Sequence, residues 1–296
     1  MKTALCTISS KSHLFKVNTL FSSLVSFFDG DLFCLVTDIT KVVKQNIGIF
    51  ENLKQLDISN LNEIIQKYKG DELRWLLKPI YLKYLLDRGY KRVIYVDNDI
   101  YFFQSPTLLF ERLNKSSILL TPHFYPSNPK NNQNWFEANF RVGLYNAGFI
   151  GVNQNAAQML DWWRDCCLYN VKKSFWRGLF DDQKYLDLVP VIFDHVEIVK
   201  DSGCNLAGWN FENRLKQLKK PDLETVTFVH FAELSIKEFS KIDSPFNPLF
   251  KVYENQILKW NNNFNFTNSN FSKRKIIAYI YYLRWKFVRL FEKRTS

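Results

Sequence analysis

The chain has 296 residues, of which 46% are hydrophobic and 23% charged, and this composition excludes a disordered chain. The net charge of +11 is concentrated in residues 271–296, which hold eight basic residues against one acidic, whereas residues 1–270 hold 32 against 28. Because a nucleic-acid-binding domain carries its basic excess on its main body, we expect no nucleic-acid partner.

No apolar run reaches the roughly 18 residues of a membrane-spanning helix, so we expect no integral membrane protein. The polar residues Ser9, Ser10 and Lys11 come too early for a secretory signal. The cysteines are odd in number and show no C-x-x-C spacing, which is typical of reduced thiols in a cytoplasmic protein. They are Cys6, Cys34, Cys166, Cys167 and Cys204.

Predicted strands alternate with predicted helices along the chain. The strands cover residues 3–9, 32–37, 92–96, 117–121, 149–152 and 227–231, and the helices cover residues 13–28, 73–86 and 156–169. The near-continuous apolar run 32–37 is typical of a strand buried on both faces. Residues 126–135 are rich in Asn and Pro and predict a mobile loop. The alternation predicts an α/β fold with a largely parallel sheet.

Two carboxylates, Asp97 and Asp99, follow the predicted strand 92–96 directly. Ligands of open α/β sheets bind beyond the carboxyl ends of the strands, where these side chains would emerge. Two carboxylates at this spacing can share one divalent cation and leave positions open for phosphate oxygens. A second pair, Asp29 and Asp31, flanks Gly30 and is interpreted as a turn.

A further metal ligand is expected from the four histidines of the chain. His230 ends the apolar strand 226–229, although a histidine beside a strand is more often structural. His13, His123 and His195 lie at a helix start, near a loop and in a strand-like run. His230 is therefore the candidate third ligand.

The order of short motifs along residues 1–260 resembles GT-A fold glycosyltransferases, with the closest likeness to family 8 and related bacterial nucleotide-diphospho-sugar transferases. The motifs are Lys78-Pro79 in a helix, Asp97-Asn98-Asp99 after a strand, a Tyr145-Asn146-Ala147-Gly148 turn, Asp182-Gln183, Gly203-Cys204-Asn205 and Val229-His230-Phe231. The resemblance implies a GT-A catalytic domain at 1–260, with a Rossmann-like, mostly parallel sheet flanked by helices. Residues 261–270 are interpreted as a polar linker and 271–296 as a helical tail.

The resemblance also implies a metal site and a nucleotide-sugar donor, expected to be a UDP-sugar. Asp97, Asp99 and His230 would hold Mn²⁺ or Mg²⁺, and Asp97 would also touch the ribose. Family 8 commonly places Ser or Gly and then a phosphate-gripping Lys after its His. This chain has Ala232-Glu233 there, with Lys237 as an uncertain substitute.

The remaining motif residues are expected to contact the donor. Lys78 would contact its phosphate or sugar, and Asn146 with Ala147 and Gly148 would approach it closely through backbone and amide groups. In the resemblance Asp182 holds sugar hydroxyls and Gln183 lies near the anomeric face, with Asp181 as an alternative register. Asn205 and the pair Trp209-Asn210 resemble a loop near the active site, on the donor or the acceptor side. The Trp162-Trp163 pair is interpreted as core.

These features predict a metal-dependent transfer of a sugar to a glycan or lipid-linked glycan, with retention favoured by the resemblance. A haloacid-dehalogenase-like phosphatase also begins at a strand followed by D-x-D, but it requires Thr or Val where this chain has Tyr101. A nucleotidyltransferase requires a glycine-rich loop, and residues 9–12 contain no Gly. A non-catalytic membrane- or sugar-binding protein would leave the ordered acidic and amide residues unexplained.

The C-terminal segment 271–296 combines its charge of +7 with an apolar stripe at helical spacing. The stripe consists of Ile276, Ile280, Leu283, Phe287 and Leu290. A basic amphipathic helix of this kind favours a peripheral position on an anionic membrane, expected to be the inner face of the cytoplasmic membrane. The alternative is a helix docked on the catalytic domain or on a partner.

Truncation after Asn270 should release the protein from anionic liposomes and leave donor hydrolysis intact. Each basic residue near an anionic surface contributes about 1 kcal/mol, and buried apolar side chains add a part that salt does not screen. Liposome co-sedimentation of the full chain should therefore weaken in high salt without vanishing. If the truncated protein unfolds or aggregates, the segment is a packed element of the catalytic domain.

Overall fold

The computed structural model describes residues 2–41, 45–56, 58, 60–218 and 221–266. The chain divides into two units, Met1–Asn261 and Asn262–Ser296, and every element named below belongs to the first. The predicted tail 271–296 and residues 267–270 of the predicted linker 261–270 lie outside the described residues. The domain boundaries and the membrane-binding helix thus stay predictions.

The described elements again alternate along the chain. The strands are β1 (Thr3–Ser9), β2 (Asp31–Val36), β3 (Ile49–Asn52), β4 (Arg92–Val96), β5 (Ile100–Phe102), β6 (Ile118–Pro122), β7 (Tyr145–Asn153), β8 (Val196–Ile198) and β9 (Phe228–His230). The helices are α1 (Leu14–Ser22), α2 (Leu61–Lys67), α3 (Gly70–Asp87), α4 (Thr107–Arg112), α5 (Gln133–Arg141), α6 (Ala157–Tyr169), α7 (Val189–Ile192), α8 (Phe211–Leu218), α9 (Glu233–Phe239) and α10 (Asn247–Trp260). None of the described helices is both long and apolar enough to span a bilayer.

Seven of the described strands form the central sheet, in the order β3-β2-β1-β4-β7-β6-β8. β7 runs antiparallel to its neighbours β4 and β6, and the other pairings are parallel. β5 and β9 pair antiparallel in a second, two-stranded sheet. The α/β fold with a mostly parallel sheet is therefore confirmed.

The central sheet is buried on both faces. In β2, Phe33 and Leu35 belong to one apolar cluster, whereas Cys34 and Val36 belong to the other. This alternation follows from the period of two of an extended strand, and it confirms the reading of the apolar run 32–37. Helix α3 packs on β1 and β4, and α6 packs on α3. Trp163 of α6 is fully buried there, as expected for a core residue.

Three local predictions were wrong. Tyr145-Asn146-Ala147-Gly148 is the first part of β7 and not a turn before it, because Tyr145 pairs with Pro122 of β6 and the Gly148 carbonyl accepts a hydrogen bond from the Asp97 N–H. The predicted loop 126–135 already contains the start of α5, where the side chain of Asn132 accepts a hydrogen bond from the Trp135 N–H. The first helix ends at Ser22 rather than at residue 28, and turns follow it.

The strand order reverses between β1 and β4. From β1 the chain continues through α1 to β2 on one side, whereas β7 and β6 lie on the other side of β4. Connections that leave in opposite directions open a crevice beyond the carboxyl ends of the two strands, where α/β sheets bind ligands. Asp97 follows β4 at this crevice, and Asn98 donates from Nδ2 to Ser9 Oγ of β1 at 2.9 Å.

Candidate active site

The acidic pair and His230 converge at the carboxyl end of β4. The antiparallel pairing of β5 with β9 sets His230 opposite Ile100, one residue after Asp99. Nε2 of His230 lies 3.0 Å from Asp99 Oδ1 and 3.9 Å from Asp97 Oδ2. One ligand atom from each of the three residues lies within 4.8 Å of the others. Pairing of strands far apart in sequence has thus assembled the site.

These three side chains fit a divalent cation. Carboxylate oxygens are the ligands that hard cations such as Mg²⁺ and Mn²⁺ prefer, and imidazole extends the range of ions that bind. Gly148 keeps this space open, because a Cβ there would lie 2.7 Å from His230 Cε1 and 2.9 Å from Asp97 Oδ2. The arrangement therefore suits one metal ion with positions left for a ligand.

Charge pairing within the cluster outweighs burial. Burial would raise the pKa of Asp99, but His230 and Lys16 hold that pKa well below its usual range. Burial would lower the pKa of His230, and the carboxylates of Asp99 and Asp97 raise it instead. Asp99 is thus a carboxylate at neutral pH, as a metal ligand must be.

Lys78 places a buried ammonium group behind the cluster. It lies in the middle of α3 and is 3% exposed. Its Nζ donates to the carbonyl of Ala147 at 3.1 Å and lies 3.1 Å from Asp182 Oδ2 and 3.4 Å from Asp97 Oδ1. Burial alone would lower the pKa of Lys78, but Asp182 and Asp97 raise it, so the group stays charged.

Asp182, rather than Asp181, is the carboxylate that joins this cluster. It is 1% exposed, and its main-chain carbonyl accepts a hydrogen bond from Trp163 Nε1 at 2.8 Å. Burial raises the pKa of Asp182 to about 7. Lys78 lowers this pKa only in part, and the carboxylates of Asp181 and Asp97 raise it further. Asp181 is buried next to Asp182, but its Oδ2 lies 3.7 Å from Lys173 Nζ and its Oδ1 accepts from the Gln183 N–H.

Two buried amides orient His230. Nδ2 of Asn146 is hydrogen-bonded to His230 Nδ1 at 3.0 Å and donates to Asn205 Oδ1 at 2.8 Å. Oδ1 of Asn146 accepts a hydrogen bond from the Gly148 N–H. Asn205 in turn donates to the carbonyl of Pro122 at 2.9 Å. Asn205 has φ of 56°, a left-handed conformation that Asn tolerates better than most residues. Asn146 and Asn205 thereby connect the imidazole ring of His230 to β7, to the loop that carries Asn205 and to the end of β6.

Nearly all the residues expected from the sequence therefore lie together. Asp97, Asp99, His230, Lys78, Ala147 and Asp182 are connected by the contacts above, as are Asn146, Gly148 and Asn205. Gln183 follows Asp182, but its side chain donates to the carbonyl of Val142 at 3.3 Å. Lys237 is exposed on α9.

Sequence reasoning missed Tyr95, His123 and Lys16 as contributors to the site. The Tyr95 hydroxyl donates to Asp97 Oδ1 at 2.7 Å, a contact signalled by the spacing of two along β4. Trp209, which the resemblance places in a loop near the active site, packs its ring edge-on against His230, with centroids 5.3 Å apart, and its Nε1 donates to the carbonyl of His123. Burial lowers the pKa of His123 to about 3, so its ring is neutral. Lys16, 4.0 Å from Asp99, had no sequence signal at all.

Comparison with known proteins places the chain in a family. It is 30% identical over 263 residues to the uncharacterized protein YfnF of Bacillus subtilis (strain 168), a match that covers 82% of this chain and 85% of YfnF. The chain therefore belongs to the family of YfnF. No protein-family model matches the chain.

Solved glycosyltransferases share the fold. The galactosyltransferase LgtC, solved in complex with donor and acceptor sugar analogs, superimposes with a TM-score of 0.54 at 12% identity, covering 86% of this chain and 95% of LgtC. The glycosyltransferase GlyE of Streptococcus pneumoniae TIGR4 gives a TM-score of 0.51 at 15% identity and covers 93% of this chain. The chain spans 64% of the length of GlyE. The protein thus has the GT-A fold implied by its motifs.

Replacement of Gly148 by Ala should weaken Mn²⁺ binding by about tenfold or more. The added Cβ would meet His230 Cε1 and Asp97 Oδ2 below van der Waals distance, so at least one ligand must move. Loss of an outer partner of a metal ligand alone costs about 10–100-fold in affinity. Calorimetric titration of each variant with Mn²⁺ measures this effect.

Gly151→Ala is the matched control in the same strand. Its Cβ would meet Leu119 at 3.1 Å in the core and no metal ligand. This variant should lose thermal stability but keep its Mn²⁺ affinity. Unchanged Mn²⁺ affinity in Gly148→Ala would show that the metal does not bind at this place.

Proposed function

We propose that this member of the YfnF family is a metal-dependent glycosyltransferase. It transfers a sugar from a nucleoside-diphosphate sugar, with a UDP-sugar as the expected donor, to a glycan or glycolipid acceptor. The observation that carries the proposal is the convergence of Asp97, Asp99 and His230 at the crevice, against the buried Lys78–Asp182 pair. The GT-A fold supports this reading by analogy only, since one fold hosts many functions.

The metal site would receive the diphosphate of the donor. Asp97, Asp99 and His230 would hold Mn²⁺ or Mg²⁺, which supplies Lewis-acid neutralisation of the charge that develops on the departing diphosphate. Asn146 and Asn205 keep the imidazole of His230 in place before any ligand arrives. An ordered site of this kind needs little reorganisation when charge develops.

Asp182 would act on the transferred sugar. Its carboxylate is held by Lys78 and can accept hydrogen bonds from sugar hydroxyls. Lys78 already faces two carboxylates and a carbonyl, so in this proposal it positions Asp182 and Asp97 rather than gripping the phosphates. Gln183 would lie beside the anomeric face of the sugar.

Retention of the anomeric configuration follows the resemblance to family 8. The departing diphosphate would then take the proton of the acceptor hydroxyl, so that no separate carboxylate base is required. An inverting enzyme would need such a base near the acceptor. The acceptor is expected to be a glycan or a lipid-linked glycan, the latter reached from the membrane surface through the C-terminal segment.

The decisive experiment compares Asp99→Asn with the wild-type protein for Mn²⁺-dependent UDP binding and slow UDP-sugar hydrolysis. Removing a ligand should reduce Mn²⁺-dependent UDP affinity by about 100-fold or more, beyond the effect of losing an outer partner. Asp29→Asn, in the exposed D-x-D turn, is the matched control and should bind as the wild type does. Undiminished calorimetric binding by Asp99→Asn contradicts the metal site.

Replacement of Asp182 by Asn should lower hydrolysis of the donor by about 100-fold through loss of sugar positioning. UDP affinity should be retained, because the Asp182 contacts lie beyond the phosphates. Asp181→Asn is the control, since that carboxylate lies next to Lys173 instead. If Asp181→Asn is the damaging variant in steady-state assays, the assignment is wrong by one residue.

A further inference from the structure

The two elements that flank the crevice between β1 and β4 carry groups of opposite charge. Asp97 and Asp99 follow β4, and α1, the helix that follows β1, carries Lys16. Lys16 lies in the first turn of α1, with its Nζ 4.0 Å from Asp99 Oδ2. The other oxygen of Asp99 faces His230, so the carboxylate separates the lysine from the imidazole. A ligand that enters the crevice therefore meets the Lys16 ammonium beside the metal ligands.

A diphosphate at this place needs a further cation. It brings at least two negative charges to a cluster that already holds the carboxylates of Asp97 and Asp99, and one divalent ion cannot offset all of them. Lys78 cannot supply the missing hydrogen bonds. Its three N–H donors match its three neighbours, the carbonyl of Ala147 and the two carboxylates, and its side chain is 4% exposed.

Lys16 differs from Lys78 in its exposure and in its free hydrogen-bonding capacity towards the carboxylates. Its side chain is 18% exposed, and at 4.0 Å its Nζ is beyond hydrogen-bond distance of Asp99. Among the ion pairs of the described residues, Lys16 and Lys78 are the lysines that reach Asp97 or Asp99. The ammonium of Lys16 is thus close enough to interact electrostatically with Asp99, and its N–H groups can still donate hydrogen bonds to a ligand.

We propose that Lys16 binds a phosphate oxygen of the nucleoside-diphosphate donor across the crevice from the metal ligands. The inference rests on the proposed function, because it requires a diphosphate at the metal site. It makes Lys16 a donor-binding residue that recognises the diphosphate portion, rather than a counter-ion that only stabilises Asp99.

The test is calorimetric titration of wild type and Lys16→Met with UDP and with UMP at saturating Mn²⁺, together with titration by Mn²⁺ alone. Loss of a charge-assisted hydrogen bond should weaken UDP binding by about tenfold. The affinity for UMP, which lacks the second phosphate, should fall by a smaller factor in Lys16→Met. Mn²⁺ alone should bind at least as tightly as to wild type, because a cation next to Asp99 has been removed. Lys16→Arg should recover part of the UDP affinity.

Lys54→Met, on an exposed turn after β3, is the matched control and should leave UDP binding unchanged. Equal UDP affinity in wild type and Lys16→Met overturns the inference about Lys16 and leaves the proposed function intact. A fall in Mn²⁺ affinity equal to the fall in UDP affinity also overturns it, because Lys16 would then act only through Asp99. If wild type itself shows no Mn²⁺-dependent UDP binding, the proposed function fails and the inference with it.

Discussion

The site depends on the cost of burying carboxylates close together. The buried Asp182 and the half-buried Asp97 both approach Lys78, and buried charges are tolerated only when they are paired. The ammonium of Lys78 is the group that lies between them, and it also binds the carbonyl of Ala147. One side chain of α3 therefore joins β4, β7 and the segment that carries Asp182. Because this ammonium is fully engaged, further negative charge from a ligand must be met by other groups.

The second constraint is the orientation of His230. The ring lies among Asn146, Trp209 and Asp99, and Asn146 is held in turn by Asn205 and by the Gly148 N–H. Each of these groups is buried or half-buried, so the ring has little freedom. Groups fixed in this way lose little entropy when a ligand binds. The site is therefore preorganised, unlike a site built on mobile loops.

The sequence predicted much of this site because its signals are local. Asp97 and Asp99 directly follow an apolar strand, and the ordered motifs from Lys78 to His230 indicate a GT-A fold. The short strands β3, β5 and β8 escaped prediction, since three or four residues carry no clear period. The start of β7 was taken for a turn because Asn and Gly favour turns locally, whereas the pairing of Tyr145 with β6 and the hydrogen bond from the Asp97 N–H to the Gly148 carbonyl decide its conformation.

The sequence by itself determined the fold class and the acidic pair, since these follow from hydrophobic period and spacing along the chain, and the order of its motifs carried the resemblance to GT-A glycosyltransferases. Only the tertiary structure distinguished Asp182 from Asp181, because adjacent residues have the same sequence context but point to different lysines. It also decided that Lys78 is buried between carboxylates and that Lys16 faces Asp99. Lys16 is an ordinary helix lysine in the sequence, and Lys78 was expected to contact the donor rather than two carboxylates. The strand order, which brings the ends of β1 and β4 together, decides these contacts.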